Sequence, residues 1–313
     1  MGNTTSRFDI PNPFWYEDLP ARSASLEESR DAAIQEEDLL SINQDHLDIS
    51  RMSSLLRGGF IFLGLLSLAI LGWFAPFIFS TIFSPPSSAA LIVIVATMYV
   101  AQVGYSLFMI WLDCHIPRDL PVRFDRRAGK IYVQDYSLSL NPFRRRRLEF
   151  KTFDWTGVEA ELSRQAGFNG KAYMVRYALV LVICKPGTRE VVERLTLKGN
   201  DITVRGLQAM WNYIRRYMAE GAAGLPTVTP RCRALSLRRS LFTYMPYFDP
   251  SQEGADFRER MGVVDWLLAL LVMGFFWVWL PLGLCHYIAM RLAPEACWPD
   301  LLSPQPTMPA VTK

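Results

Sequence analysis

The densest chemical signal in this sequence is the run Arg144, Arg145, Arg146, Arg147. It lies in NPFRRRRLEF (residues 141–150), between a turn signal and an apolar, strand-like stretch. Four adjacent guanidiniums stay charged at any physiological pH and pair with phosphate or carboxylate oxygens. Duplex nucleic acid would call for basic side chains spread along a groove-reading element, and single strands for interleaved aromatics. This run is contiguous, sits at a turn and follows an apolar block by about thirty residues. That placement points to the anionic headgroups of a lipid bilayer, where each basic residue near the surface contributes about 1 kcal/mol. A protein contact and a plain solvated loop stay open beside it; nucleic acid is not expected.

Catalysis finds little to work with. An enzyme needs converging nucleophile, base and oxyanion groups. His46, His115 and His286 fall in separate regions, and no spacing sets one beside a nucleophile. Asp113, Cys114 and His115 are adjacent, but on a helix such neighbours point in different directions. The sequence has no G-x-S-x-G, phosphate loop, G-x-G-x-x-G or H-E-x-x-H. Cys114, Cys184, Cys232, Cys285 and Cys297 show neither metal-knuckle nor redox spacing. The expectation is a protein that is not an enzyme and uses no cofactor or metal.

The elements that position the arginines begin with two apolar blocks. Residues 58–84 and 87–112 carry no charged side chain over 27 and 26 positions. About 20 apolar residues of helix cross the hydrocarbon layer, so each block is long enough with some tilt. The link Ser84-Pro85-Pro86-Ser87 breaks helix and predicts an antiparallel hairpin. A third block, residues 261–290, is less clean. Asp265 sits in its first turn, Pro281 is expected to kink it, and Trp266 and Tyr287 suit two interfaces. It reads as a third transmembrane helix, with a re-entrant or interfacial helix as the alternative. Arginines cluster before the first block, after the second and before the third. The amino terminus and central region are therefore expected in the cytoplasm.

Residues 118–225 read as an α+β domain. PVRFDRRAGKIYVQD outlines a hairpin. In RLEFKTFDW, Leu148 and Phe150 share one face, and GVEAELSRQ alternates Val158, Ala160 and Leu162 against polar residues. YMVRYALVLVICK and REVVERLTL complete an antiparallel sheet. A helix follows, capped by Asn200 or Asp201, with Val204, Leu207, Trp211, Ile214 and Met218 on one stripe; Arg205, Arg215 and Arg216 lie off it. Trp211, Leu207 and Ile214 are the expected domain core. Strands followed by one amphipathic helix make this part similar to a pleckstrin-homology-like domain.

Charge is unevenly spread. Residues 1–57 hold eleven acidic and five basic groups, residues 113–260 hold 26 basic and 16 acidic. The acidic leader reads either as a solvated segment, with a weak helix from about Ser25, or as a segment that folds back onto the basic domain. The expected organisation is an acidic cytoplasmic leader (1–57), a transmembrane helical hairpin (58–112), the α+β domain (118–225), a basic linker (226–260), the third apolar helix (261–290) and a flexible tail (291–313).

The double span, PVRFDRRAGKIYV directly after it and FDWTGVEAEL further on resemble a family of uncharacterised bacterial inner-membrane proteins associated with type VI secretion effector loci. The resemblance covers roughly residues 55–220 and brings no active site with it. It implies an immunity or accessory protein whose partner is a toxin or a secretion-system protein. The alternative, from the basic run, is a membrane-tethered lipid- or signal-binding module.

Overall fold

The computed structural model describes residues 6–25, 31–51, 57–84, 88–136, 148–168, 173–230, 235–295 and 298. Among the described residues, nine strands and seven α-helices follow one another. They are β1 (Trp15–Asp18), β2 (Leu39–Ile42), β3 (His46–Ile49), α1 (Gly59–Phe83), α2 (Ala89–His115), β4 (Val122–Asp125), β5 (Lys130–Tyr136), β6 (Leu148–Asp154), β7 (Val158–Phe168), β8 (Tyr173–Cys184), β9 (Val191–Asp201), α3 (Val204–Glu220), α4 (Leu237–Phe242), α5 (Gln252–Glu259), α6 (Val263–Met273) and α7 (Phe276–Leu292). They divide into two units, one of residues 1–51, 119–231 and 295–313, the other of residues 52–118 and 232–294.

The first unit is α+β. One antiparallel sheet has the order β2-β3-β4-β5-β6, the other β1-β7-β8-β9. Period-2 alternation decides what lies inside. Leu47 and Ile49, Val122 and Phe124, and Ile131 and Val133 come from the first sheet. Val158, Ala160 and Leu162, with Leu179, Leu181 and Ile183, come from the second, and all join one buried cluster with α3. The β4–β5 turn is closed by Gly129 at φ 63°, a left-handed conformation that glycine adopts without a Cβ clash. In β6 the expected inward face is reversed: Phe150 is exposed, and Phe153 packs on the core instead.

Of the two expectations for the leader, folding back onto the basic domain is the one its described residues show. Where residues 15–49 are described they are neither a helix nor a solvated segment; they supply β1, β2 and β3. Leu19, Ile34, Leu39, Leu47 and Ile49 sit in the same core as the sheets they extend. These strands are four residues long, too short for alternation to stand out against the surrounding acids. The acids then meet the basic domain. Asp31 pairs with Arg205 at 2.8 Å, Asp38 with Lys198, and Asp48 with Arg123 at 2.7 Å.

Helix α3 is buried more widely than one stripe. Leu207, Trp211 and Ile214 are fully buried, and so are Tyr213, Tyr217 and Arg215. The cause is again the leader. Trp211 Nε1 donates to the Pro20 carbonyl at 2.8 Å, Tyr217 Oη to the Asn43 carbonyl at 3.0 Å, and Arg215 to the Ala24 carbonyl. Thr203 occupies the N-cap, two to three residues beyond the expected caps, and Gly221 at φ 85° ends the helix.

The second unit is helical. The segments Gly59–Ser80 and Ala89–His115 are long and apolar enough to cross a membrane. Their link, residues 85–87, lies outside the described residues. Small and polar groups take part in the contact between these helices, as in lipid-embedded helix pairs. Ser67 Oγ accepts from Gln102 Nε2 at 2.9 Å and from Ser106 Oγ at 3.1 Å.

The third apolar block is broken. Helices α6 and α7 meet at 85°, with Gly274 and Phe275 between them. Pro281 lies inside α7, so the break falls seven residues before the expected kink. Asp265 does occupy the first turn of α6, where its carboxylate accepts from the Gly262 N–H at 2.9 Å. The expected basic linker holds α4 and α5, and α4 packs on α7 where Gly283 lies against Leu241: a Cβ there would stand 2.6 Å from the Leu241 carbonyl oxygen. Of the tail, Glu295 and Trp298 are the residues described beyond Pro294.

Candidate functional site

The run Arg144–Arg147 falls between the end of β5 and the start of β6 and lies outside the described residues. The other singled-out residues, Trp211, Leu207 and Ile214, are core: the Trp211 ring lies 5.8 Å from Trp155, which meets Phe124 edge-on at 6.2 Å.

The groups that could have suggested catalysis diverge. Asp113 turns its carboxylate to the start of α1 and accepts from the Ile61 N–H at 3.2 Å, satisfying a donor every helix leaves open at its amino end. His115 turns back along α2, its Nδ1 2.8 Å from the Trp111 carbonyl and its ring 4.8 Å from the Trp111 ring. Cys114 packs in an apolar cluster with Ile61, Cys285 and Ala289. His46 lies on β3 in the first unit, where its ring accepts from Asn43 Nδ2.

Buried carboxylates described in the first unit are paired with cations. The Arg123 guanidinium grips both carboxylate oxygens of Asp48 at 2.7 Å, with both side chains nearly inaccessible to water. Glu161, on β7, accepts from Arg194 Nε and Asn12 Nδ2, each at 2.9 Å. Lys151 joins the edge strands β6 and β9 by bonds to Glu193 at 2.6 Å and Asp135 at 3.2 Å. The bond to Glu193, more than the one to Asp135, holds the Lys151 amine above the usual lysine range. Burial pushes the Asp38 carboxyl upward, partly offset by Lys198.

One cleft in this unit has the chemistry of a binding site. It encloses about 370 Å³ between the amino-terminal segment and the loops at the β7 start and the β8–β9 turn. Arg7, Arg22, Lys185 and Arg189 line it, against the single carboxylate Glu159. Glu159 is already engaged, accepting from Arg7 Nη2 at 3.0 Å and from the Arg22 N–H at 3.2 Å. Lys185 pairs with Glu190 beside the cleft. Gly157 belongs to the wall because the backbone runs tight there: a Cβ would stand 2.6 Å from the Cys184 carbonyl oxygen. Sequence reading missed this cleft. Its basic residues come from positions 7, 22, 185 and 189, and no local pattern links them.

Together these features define a class: an α+β unit with a cation-lined cleft, in a chain that also carries two helices of membrane-crossing length. The chain belongs to DUF6708, a family of unknown function whose model matches residues 99–306. No curated protein and no solved structure matches it.

Proposed function

We propose that this protein is a non-enzymatic, multi-pass protein of the bacterial inner membrane that binds a protein partner through its α+β unit. In this reading residues 1–57 and the central domain face the cytoplasm, as the arginines flanking the apolar blocks favour. The broken pair α6 and α7 is then a third membrane element, entering as a bent span or a re-entrant loop. A pleckstrin-homology-like reading of the unit is supported by the order of β4 to β9 before α3 and by Trp211 in the core with both sheets. The resemblance of PVRFDRRAGKIYV and FDWTGVEAEL supports a place in type VI secretion, as an immunity or accessory protein.

The observation that carries the partner reading is the end of the β7–β8 hairpin. These strands pair as far as Phe168 opposite Tyr173, but β1 meets β7 only at residues 161–163 and β9 meets β8 only from Tyr177 onward. A two-stranded projection results, with Tyr173 and Met174 exposed. Exposed aromatic and thioether groups at the end of a projecting hairpin suit a protein interface. The test is binding of the products of genes flanking its own to the full chain in nanodiscs. One should bind, and Tyr173→Asp with Met174→Asp should weaken it at least about tenfold. Failure of every flanking product to bind would overturn the secretion reading.

The cation-lined cleft favours a second reading, a membrane-tethered lipid- or signal-binding module. In that reading Arg144–Arg147 contribute attraction to anionic headgroups.

A further inference from the structure

We infer that the cleft between the amino-terminal segment and the β8–β9 turn binds a phosphate-bearing small ligand. This rests on the second reading above and names the ligand chemistry of that site.

Charge is the first argument. Four cations converge on a space of about 370 Å³ and the one carboxylate among them is neutralised by Arg7. Among the described residues, neither Arg22 nor Arg189 is in an ion pair. Unpaired guanidiniums around a concave space, with their counter-charge missing, suit an anion supplied from outside. A phosphate group matches this arrangement better than a carboxylate, because its oxygens can accept from two planar guanidiniums at once and it can carry a second charge.

Construction is the second argument. The two walls come from segments remote in sequence, so the cleft exists only when residues 7–22 lie against the start of β7 and the end of β8. Hydrogen bonds hold them there: the Arg22 N–H to the Glu159 carboxylate at 3.2 Å, the Leu19 N–H to the Ala160 carbonyl at 3.0 Å, and the Asp9 N–H to the Arg189 carbonyl at 3.3 Å. The cationic walls are thus preorganised before a ligand arrives, which lowers the entropy a ligand must overcome. The volume is at the small end of ligand sites, enough for a phosphorylated headgroup or a small phosphorylated metabolite.

The test uses the full chain in nanodiscs and inorganic pyrophosphate as the probe. In phosphatidylcholine discs, titration calorimetry should show binding that weakens as salt rises. Arg22→Gln and Arg189→Gln should each reduce affinity at least about tenfold, the loss expected for a charge-assisted hydrogen bond. Arg189 is exposed, so its replacement leaves the fold intact. Hydrogen exchange should show protection of residues 7–22 and 185–189 on binding. If discs containing phosphatidylglycerol protect the same residues without pyrophosphate, the ligand is a lipid headgroup; protection only by pyrophosphate assigns a soluble ligand. Binding that neither variant weakens would put the anion elsewhere and overturn the cleft. Should pyrophosphate fail in both discs while anionic lipid still protects other segments, the lipid-binding reading stands and the cleft assignment falls.

Discussion

Trp211, Phe124, Tyr217 and Leu39 are fully buried in the first unit, whereas in the second Trp73, Phe77 and Val100 are 83%, 70% and 70% exposed and Ser106 and Asp113 are buried. Each unit hides what its surroundings do not favour. In water, apolar area is what folding removes, at roughly 25 cal/mol per Å². Against lipid, apolar side chains face outward without cost, and contacts between helices fall to polar and small groups. The same chain therefore follows opposite rules in its two units. A substitution that ruins one should be tolerated in the other.

The comparison can be broken at several points. The largest effect is expected at Trp211. Trp211→Ala should cost about 3–5 kcal/mol, the range for a large core aromatic, whereas Trp73→Ala should leave stability nearly unchanged. Denaturant unfolding of the full chain in nanodiscs, followed by hydrogen exchange in each unit, measures both. Equal losses would mean that the two units do not differ as described.

A comparable effect is expected at the buried ion pair. Arg123→Met alone should cost about 3–5 kcal/mol, because it leaves Asp48 charged and unpaired in the core. Adding Asp48→Leu should recover most of that loss. A double variant as unstable as the single one would show that the pair contributes more than mutual neutralisation.

In the second unit the sensitive positions are small. Gly58 has φ 83°, and a Cβ there would stand 2.2 Å from the His286 backbone nitrogen. The left-handed backbone alone should cost Gly58→Ala about 1–2 kcal/mol, and the clash should add to it. Thermal unfolding in detergent should show the loss, with the first unit's exchange pattern unchanged. Ser67→Ala removes the acceptor shared by Gln102 and Ser106 and should cost only about 0.6 kcal/mol, the mean for hydrogen bonds between membrane helices. A loss several times larger would mean that polar contacts dominate the pairing of α1 and α2.

The smallest effect is a slope with pH. Burial, aided by the Arg123 charge, lowers the pKa of His46 in the folded protein. The unfolded chain then binds a proton more readily, with a pKa of about 6.5. His46 should therefore contribute stability that is fully present above that pH and lost as pH falls through its lower folded value. His46→Gln should flatten this part of the stability profile. An unchanged profile would mean that His46 titrates alike in both states.

Some of this was legible in the residues themselves. The apolar blocks at 58–84 and 87–112 are uncharged for longer than a core helix requires, and length with composition is enough to read such a segment. The stripe of Leu207, Trp211 and Ile214 is equally local, since helical period depends only on neighbours along the chain. Strands β4, β5, β7, β8 and β9 announce themselves by alternation and by glycine turns. The four-residue strands of the leader, the burial of Arg215 and the break at Gly274 were not legible. The strands and the buried arginine depend on partners far away in sequence: Arg215 lies off the apolar stripe, yet it is buried where the leader covers it and its guanidinium donates to the Ala24 carbonyl. The cleft is the extreme case. Sequence by itself determined which segments are apolar enough for lipid and which alternate as strands. Only the tertiary structure decided that an acidic leader would close the sheets and carry Arg7 and Arg22 to Lys185 and Arg189, because hydrogen bonds and ion pairs between remote segments have no period along the chain.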